Sequence, residues 1–289
     1  MAKILLPLSG WKDDAHAANA AFTLGKAFRY LVHGVHIRQS MLNVFPVFGE
    51  GVAIAGVKEV MGAVEESAKA LSASAYSLFE RTAAAAPAQI LDAFCSAPGF
   101  AARYEEGEGF PSEEIAKRAR LCDFTVFALE AVQRAKAFDE TLNQVILGAR
   151  RPAYLARRRV EIEKPVVLAW DGSTEAAAAL FAARPFFDKT SCVYVAQIKG
   201  DIDASDRGVS DCAWAMEYLR TEGRPAEAAP LTKDETGRTA DQLIEFARRV
   251  DAGLIVMGAF GHSRLREAIL GGVTLRMIQH AQTPLLLAH

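Results

Sequence analysis

Three glycines near one end of this sequence, Gly258, Gly261 and Gly271, have the type and spacing to hold phosphate. They follow the apolar run Leu254–Met257 and precede an apolar-periodic stretch that opens at Gly272. Glycine lets the backbone approach a ligand closely and take positive φ. Between a strand and a helix it also leaves N–H groups free to face an anion. His262, Ser263 and Arg264 fill the loop: backbone N–H groups of residues 261–263 and the Ser263 hydroxyl would meet phosphate, and Arg264 and Arg266 would offset its charge. The plain alternative is a set of tight turns with a solvated basic loop.

A second candidate lies upstream, where the run Val166–Trp170 ends on Asp171. A carboxylate there can accept a hydrogen bond from a ribose hydroxyl or an amide. Its competing role is to cap the helix expected from about Thr174, but Ser173 stands ready to do that. Catalytic constellations are not found: the six histidines show no metal-ligand spacing, and there is neither a Gly-x-Ser-x-Gly elbow nor a P-loop. Glu65–Glu66 and Glu105–Glu106 read as solvated helix or loop residues, and Trp11, Trp170 and Trp214 as core or interface residues. No catalytic residue and no metal ligand is assigned.

Strands alternating with helices must position these residues. In the second half the expected strands are 166–170, 193–197, 226–231, 254–258 and 285–288. Helices are expected over 174–186, 205–222, 238–250 and 272–280. The first half repeats the plan, with strands at 3–8, 30–37, 97–103 and 123–129 and helices at 15–28, 57–86 and 111–120. Each half ends on a proline and a short apolar strand, at Pro152 and Pro284. The fold class is therefore α/β, with parallel sheets covered on both faces. Domains are expected at 1–159 and 160–289, joined by a charged, exposed linker around Arg157–Lys164.

The chain has 289 residues, 51% hydrophobic and 24% charged, enough for two ordinary domains. A net charge of −2 gives no electrostatic case for nucleic acid. Up to Arg159 there are 19 basic and 17 acidic residues, and beyond it 14 and 18, a difference too small to name a partner. No apolar run approaches bilayer length, and the opening residues read as a first strand, not a signal peptide. The four cysteines are widely spaced, which favours reduced thiols in a cytoplasmic protein.

The spacing Gly258-x-x-Gly261-(nine residues)-Gly271, with Met257–Arg264 around it and Val166–Ser173 upstream, resembles the nucleotide-binding signature of the universal stress protein family. The resemblance implies two tandem doubly wound five-stranded sheets with strand order 3-2-1-4-5, placing Asp171 and Gly258 on neighbouring strands. It implies ATP or a related adenine nucleotide as ligand, possible with Mg, and a non-enzymatic stress-response regulator with at most slow ATP hydrolysis. It also implies pairing of the two halves near Tyr154 and Leu286, and a homodimer as a further arrangement. Asp171, Gly258, Gly261, His262, Ser263, Arg264, Gly271, Gly272, Val273 and Thr274 are the implied nucleotide contacts. The family's Ser or Thr after the third glycine is Gly272 here, with Thr274 two residues on. In the first half Ser9 replaces the acidic residue and no Gly-x-x-Gly follows Leu129, so that half is expected to bind no nucleotide. Two other readings stand beside this one: a ligand-free interaction module, and an ATP-using hydrolase or nucleotidyl transferase, whose Ser-Gly-Gly turn Ser9–Gly10 partly resembles.

Overall fold

Side-chain alternation along the strands decides the layout. Ile4 and Leu6 face one apolar cluster and Leu5 the other, and Val166 and Leu168 are separated from Val167 in the same way. Strands apolar on both sides must be covered on both faces, and helices do this. The computed structural model describes residues 2–39, 54–93, 99–134, 140–199, 212–232, 238–260 and 272–289.

The first half runs β1 (Lys3–Pro7), α1 (Asp14–Phe28), β2 (Leu31–Gln39), α2 (Ile54–Ala85), β3 (Gln89–Ile90), β4 (Ala101–Gly109) and α3 (Pro111–Ala119). It continues with β5 (Phe124–Ala128), α4 (Leu129–Arg134), α5 (Glu140–Asn143), a π-helical turn (Gln144–Gly148) and β6 (Ala153–Ala156). The second half runs β7 (Val166–Ala169), α6 (Thr174–Ala182), α7 (Arg184–Phe187), β8 (Val193–Lys199), α8 (Cys212–Thr221) and β9 (Ala226–Thr232). It closes with α9 (Thr239–Arg249), β10 (Leu254–Gly258), α10 (Gly272–His280) and β11 (Leu285–Ala288).

The strands form one sheet in the order β3-β4-β2-β1-β5-β6-β11-β10-β7-β8-β9. Within each half the five main strands follow 3-2-1-4-5, and neighbours are parallel. The expectation of two separate sheets is corrected here. β6 and β11 pair antiparallel, Leu286 opposite Tyr154, so two apolar edges that would otherwise be open satisfy each other. Both core clusters run through both halves. Helices α1, α2, α6 and α8 cover one face; α3, α9 and α10 cover the other.

Three local expectations also change. The helix expected over 174–186 ends at Ala182 and restarts as α7, because Pro185 has no N–H to continue the ladder. Glu105 and Glu106 lie in β4 and not in a helix or loop; Glu106 is exposed as expected, whereas Glu105 is half-buried. Arg103 and Arg118 make this tolerable by bonding the Glu105 carboxylate at 3.0 and 2.6 Å. Finally, the stretch 157–164 is exposed at Arg158, Arg159, Glu161 and Glu163 as expected, but its other residues are partly buried. Arg157 donates to Glu130 in the first half (2.9 Å) and to the Ala281 carbonyl and Gln282 in the second (2.8 and 2.6 Å), and Val160 and Ile162 pack against the core.

Phe186 adds an aromatic seam between the halves. Its ring stacks on Tyr154 at 5.7 Å and 4° and meets Phe28 edge-on at 5.0 Å. Such pairs contribute beyond their buried area. Of the three tryptophans, Trp170 is buried, whereas Trp11 and Trp214 are exposed and not core residues.

Candidate functional site

Strands β7 and β10 lie side by side, with Ala169 opposite Met257. Asp171 therefore follows the end of one strand and Gly258 ends its neighbour, at the switch point where open α/β sheets place ligands. The turn after β7 needs glycine, because Gly172 takes φ +79°. Asp171 is exposed and its Oδ1 accepts from the Ser173 N–H (3.0 Å) and hydroxyl (2.6 Å). Ser173 caps α6, its Oγ accepting from the Ala176 N–H at 3.1 Å. Asp171 thus orients the cap and is not the cap itself.

Gly258 has a packing reason that its spacing did not suggest. A β-carbon there would sit 2.7 Å from the Ala176 nitrogen and 2.8 Å from the Glu175 β-carbon. The missing side chain lets the first turn of α6 press onto the end of β10, bringing that helix N-terminus to the crevice.

Helix α10 supplies the other wall. Gly272 and Val273 are exposed on its first turn, whereas Thr274 is buried with Met277 and Ile278 on the face that meets the core. The Thr274 side chain is thus buried, unlike the exposed Gly272. A β-carbon on Gly272 would meet nothing within 4 Å. The helix is held by a two-pronged ion pair, Arg276 to Asp241 on α9 at 2.6 and 2.9 Å. No acidic residue stands in its first turn, so within the helix itself nothing offsets the positive end of its dipole.

Gly261, His262, Ser263, Arg264 and Gly271, together with Arg266, lie outside the described residues. Three residues that spacing did not single out do border the site. Glu175 stands in the first turn of α6, 3.9 Å from His289, whose Nδ1 lies 2.9 Å from the Ala259 carbonyl oxygen. Sheet register brings His289 here from the end of β11, which no local motif signals. Trp170, directly before Asp171, is buried with its indole N–H unpaired among the described residues. A buried unpaired donor is costly.

The matching place in the first half is built differently. Ser9 and Gly10 follow β1, but the carboxylate comes from the helix: Asp14 accepts from the Ser9 hydroxyl (2.9 Å) and the Gly10 N–H (2.8 Å). Burial raises its pKa, partly offset by these bonds. β5 runs directly into α4, leaving no loop between Ala128 and Leu129. Burial pushes the Glu130 carboxyl upward, but Arg157 and His16 outweigh it and hold it below the usual range. Among the described residues no group of three or more His, Cys, Asp or Glu is arranged to hold a metal ion. Among them, too, no helix is long and apolar enough to cross a membrane.

Residues 163–289 match the model of the universal stress protein family. A universal stress protein of Methanocaldococcus jannaschii is 29% identical over 149 residues, covering 46% of this chain and 85% of that protein. Among solved structures, a universal stress protein from Archaeoglobus fulgidus superposes with a TM-score of 0.67 at 15% identity, covering 99% of this chain and 97% of that one. A functionally unknown protein from Pseudomonas aeruginosa reaches 0.51 at 12% identity, covering 99% and 92%. The latter two likenesses concern the fold.

Proposed function

We propose that residues 163–289, which match the model of the universal stress protein family, bind an adenine nucleotide, ATP or a relative, and that binding regulates the chain without catalysis. The supporting observation is the register of β7 on β10, which sets Asp171 beside the strand end from which the glycine loop departs. In this reading Asp171 accepts from the ribose, the first turn of α10 and the loop 258–271 face the phosphates, and any Mg arrives with the nucleotide. Residues 1–159 take no nucleotide in this reading, since an α4 carboxylate stands where the phosphate loop would be.

The test is to denature the purified protein and identify released nucleotide by chromatography and mass. The expected result is about one adenine nucleotide per chain, lost in a folded Gly261→Val variant. Two per chain would place a second site in the first half.

One observation favours a ligand-free interaction module instead: the hydroxyl expected after Gly271 is absent, and the Thr274 side chain is buried. No released nucleotide, and no thermal shift with ATP and magnesium, would select that reading.

A further inference from the structure

The first half contains a cavity of about 450 Å³, within the size range of small-molecule sites. It lies at the carboxyl ends of β1, β2 and β5, the switch point of that half. Its walls are mostly apolar: Leu8, Val35 and Phe127 from the sheet side, Leu71 from α2, Ile115 from α3 and Val132 from α4. Gly10 takes φ +87°, and a β-carbon there would collide with the Leu71 backbone, so the missing side chain lets α2 close over the turn.

One buried polar group in this wall points to a ligand. His36 lines the cavity at 4% exposure. Its Nδ1 lies 2.8 Å from the Leu8 carbonyl oxygen. A carbonyl only accepts, so Nδ1 carries the proton and Nε2 of the neutral ring is an acceptor. No hydrogen bond engages Nε2 among the described residues. Asp14 also lines the cavity, but both its oxygens accept from the Ser9–Gly10 turn. A phosphate finds no glycine loop here and meets the Asp14 carboxylate. Arg38 is the cationic group in the lining, and it is exposed at the end of β2.

We propose that this cavity binds a small, uncharged, mostly apolar molecule bearing one hydroxyl, which donates to His36 Nε2 while its apolar body packs against Leu71, Ile115 and Val132. This goes beyond nucleotide binding and does not rest on it.

The probe is 1-octanol, titrated calorimetrically into the full chain, with octanoate as the matched anion. Saturable binding of one octanol per chain is expected, with octanoate about tenfold weaker or worse. His36→Phe, which keeps the volume and removes the acceptor, should weaken octanol by a similar factor. Leu71→Trp, which fills the cavity from the helix side, should abolish binding while the melting temperature is kept. No octanol binding to the wild type overturns the proposal. Octanoate binding more tightly overturns it in favour of a carboxylate site headed by Arg38. Displacement of octanol by ATP overturns it in favour of a nucleotide pocket. A negative result at Gly261 would leave this titration untouched, so the two assignments fail separately.

Discussion

Gly258 and Ala176 are in such close approach that a β-carbon on the first would lie 2.7 Å from the backbone nitrogen of the second. The contact locks α6 onto β10. Gly258→Ala is expected to lower stability by about 1–3 kcal/mol through overpacking, and Gly258→Val by more. Urea midpoints measure this, and an unchanged midpoint would show that the helix can lift without cost.

Gly272 is the reverse case, since a side chain there meets only open space. Gly272→Ser restores the hydroxyl that the family signature carries. It should tighten adenine nucleotide binding by about tenfold at most and leave the melting temperature nearly unchanged. Calorimetric titration with ATP reads the first, and equal affinities would remove this hydroxyl position from the site.

Asp171 and Ser173 should separate in their effects. Ser173→Ala removes the N-cap of α6 and should cost about 1 kcal/mol of stability. Asp171→Ala should chiefly weaken nucleotide binding. Paired denaturation and binding curves test the division; a stability loss for Asp171→Ala larger than for Ser173→Ala would assign the capping role to the carboxylate.

The distribution of these roles marks how far the sequence is legible. The strands Leu254–Gly258 and Leu285–Ala288 and the helix Gly272–His280 follow from apolar runs bounded by glycine and proline. So does the neighbouring placement of Asp171 and Gly258, through the strand order that the family resemblance implies. What local pattern hides is compensation from afar. Glu105 reads as a solvent residue because Arg118, which pairs with it, lies thirteen positions away on α3. Arg157 reads as linker because its partners, Glu130 and Ala281, lie in different halves. Glu175 and His289 border the site only through sheet register. The apolar pattern of 174–186 continued across Pro185 and masked the break in the helix.

Arg157 gives a direct probe of the seam. Arg157→Ala deprives Glu130 of its nearest cation and leaves the Ala281 carbonyl without this donor, and should cost about 2–3 kcal/mol. Arg157→Lys, a point charge without the fork, should recover only part of that. Chemical denaturation measures both, and a loss under half a kilocalorie would make the bridge a surface ornament.

His33 should contribute to the acid response of the first half. Burial drives its pKa down to about 4, outweighing the neighbouring Glu105 carboxylate at 3.0 Å. The folded value lies below the unfolded value, so the unfolded chain takes up the proton first as pH falls. Stability that is complete above about pH 6.5 is therefore lost progressively toward pH 4, by up to about 3 kcal/mol. His33→Gln, which keeps an N–H donor without titrating, should flatten the curve between pH 7 and 5, above the range where carboxylates dominate. An equally steep curve in the variant would place the sensitivity elsewhere.

The antiparallel meeting of β6 and β11 has a geometric result. Every main strand of one half runs opposite to those of the other, so the two switch points open on opposite rims of the same sheet. A partner molecule docked over one rim leaves the other bathed in solvent. The two mouths thus face away from each other, joined through the shared floor of strands, the Phe28–Phe186 contact and the Arg157 bridge between the halves.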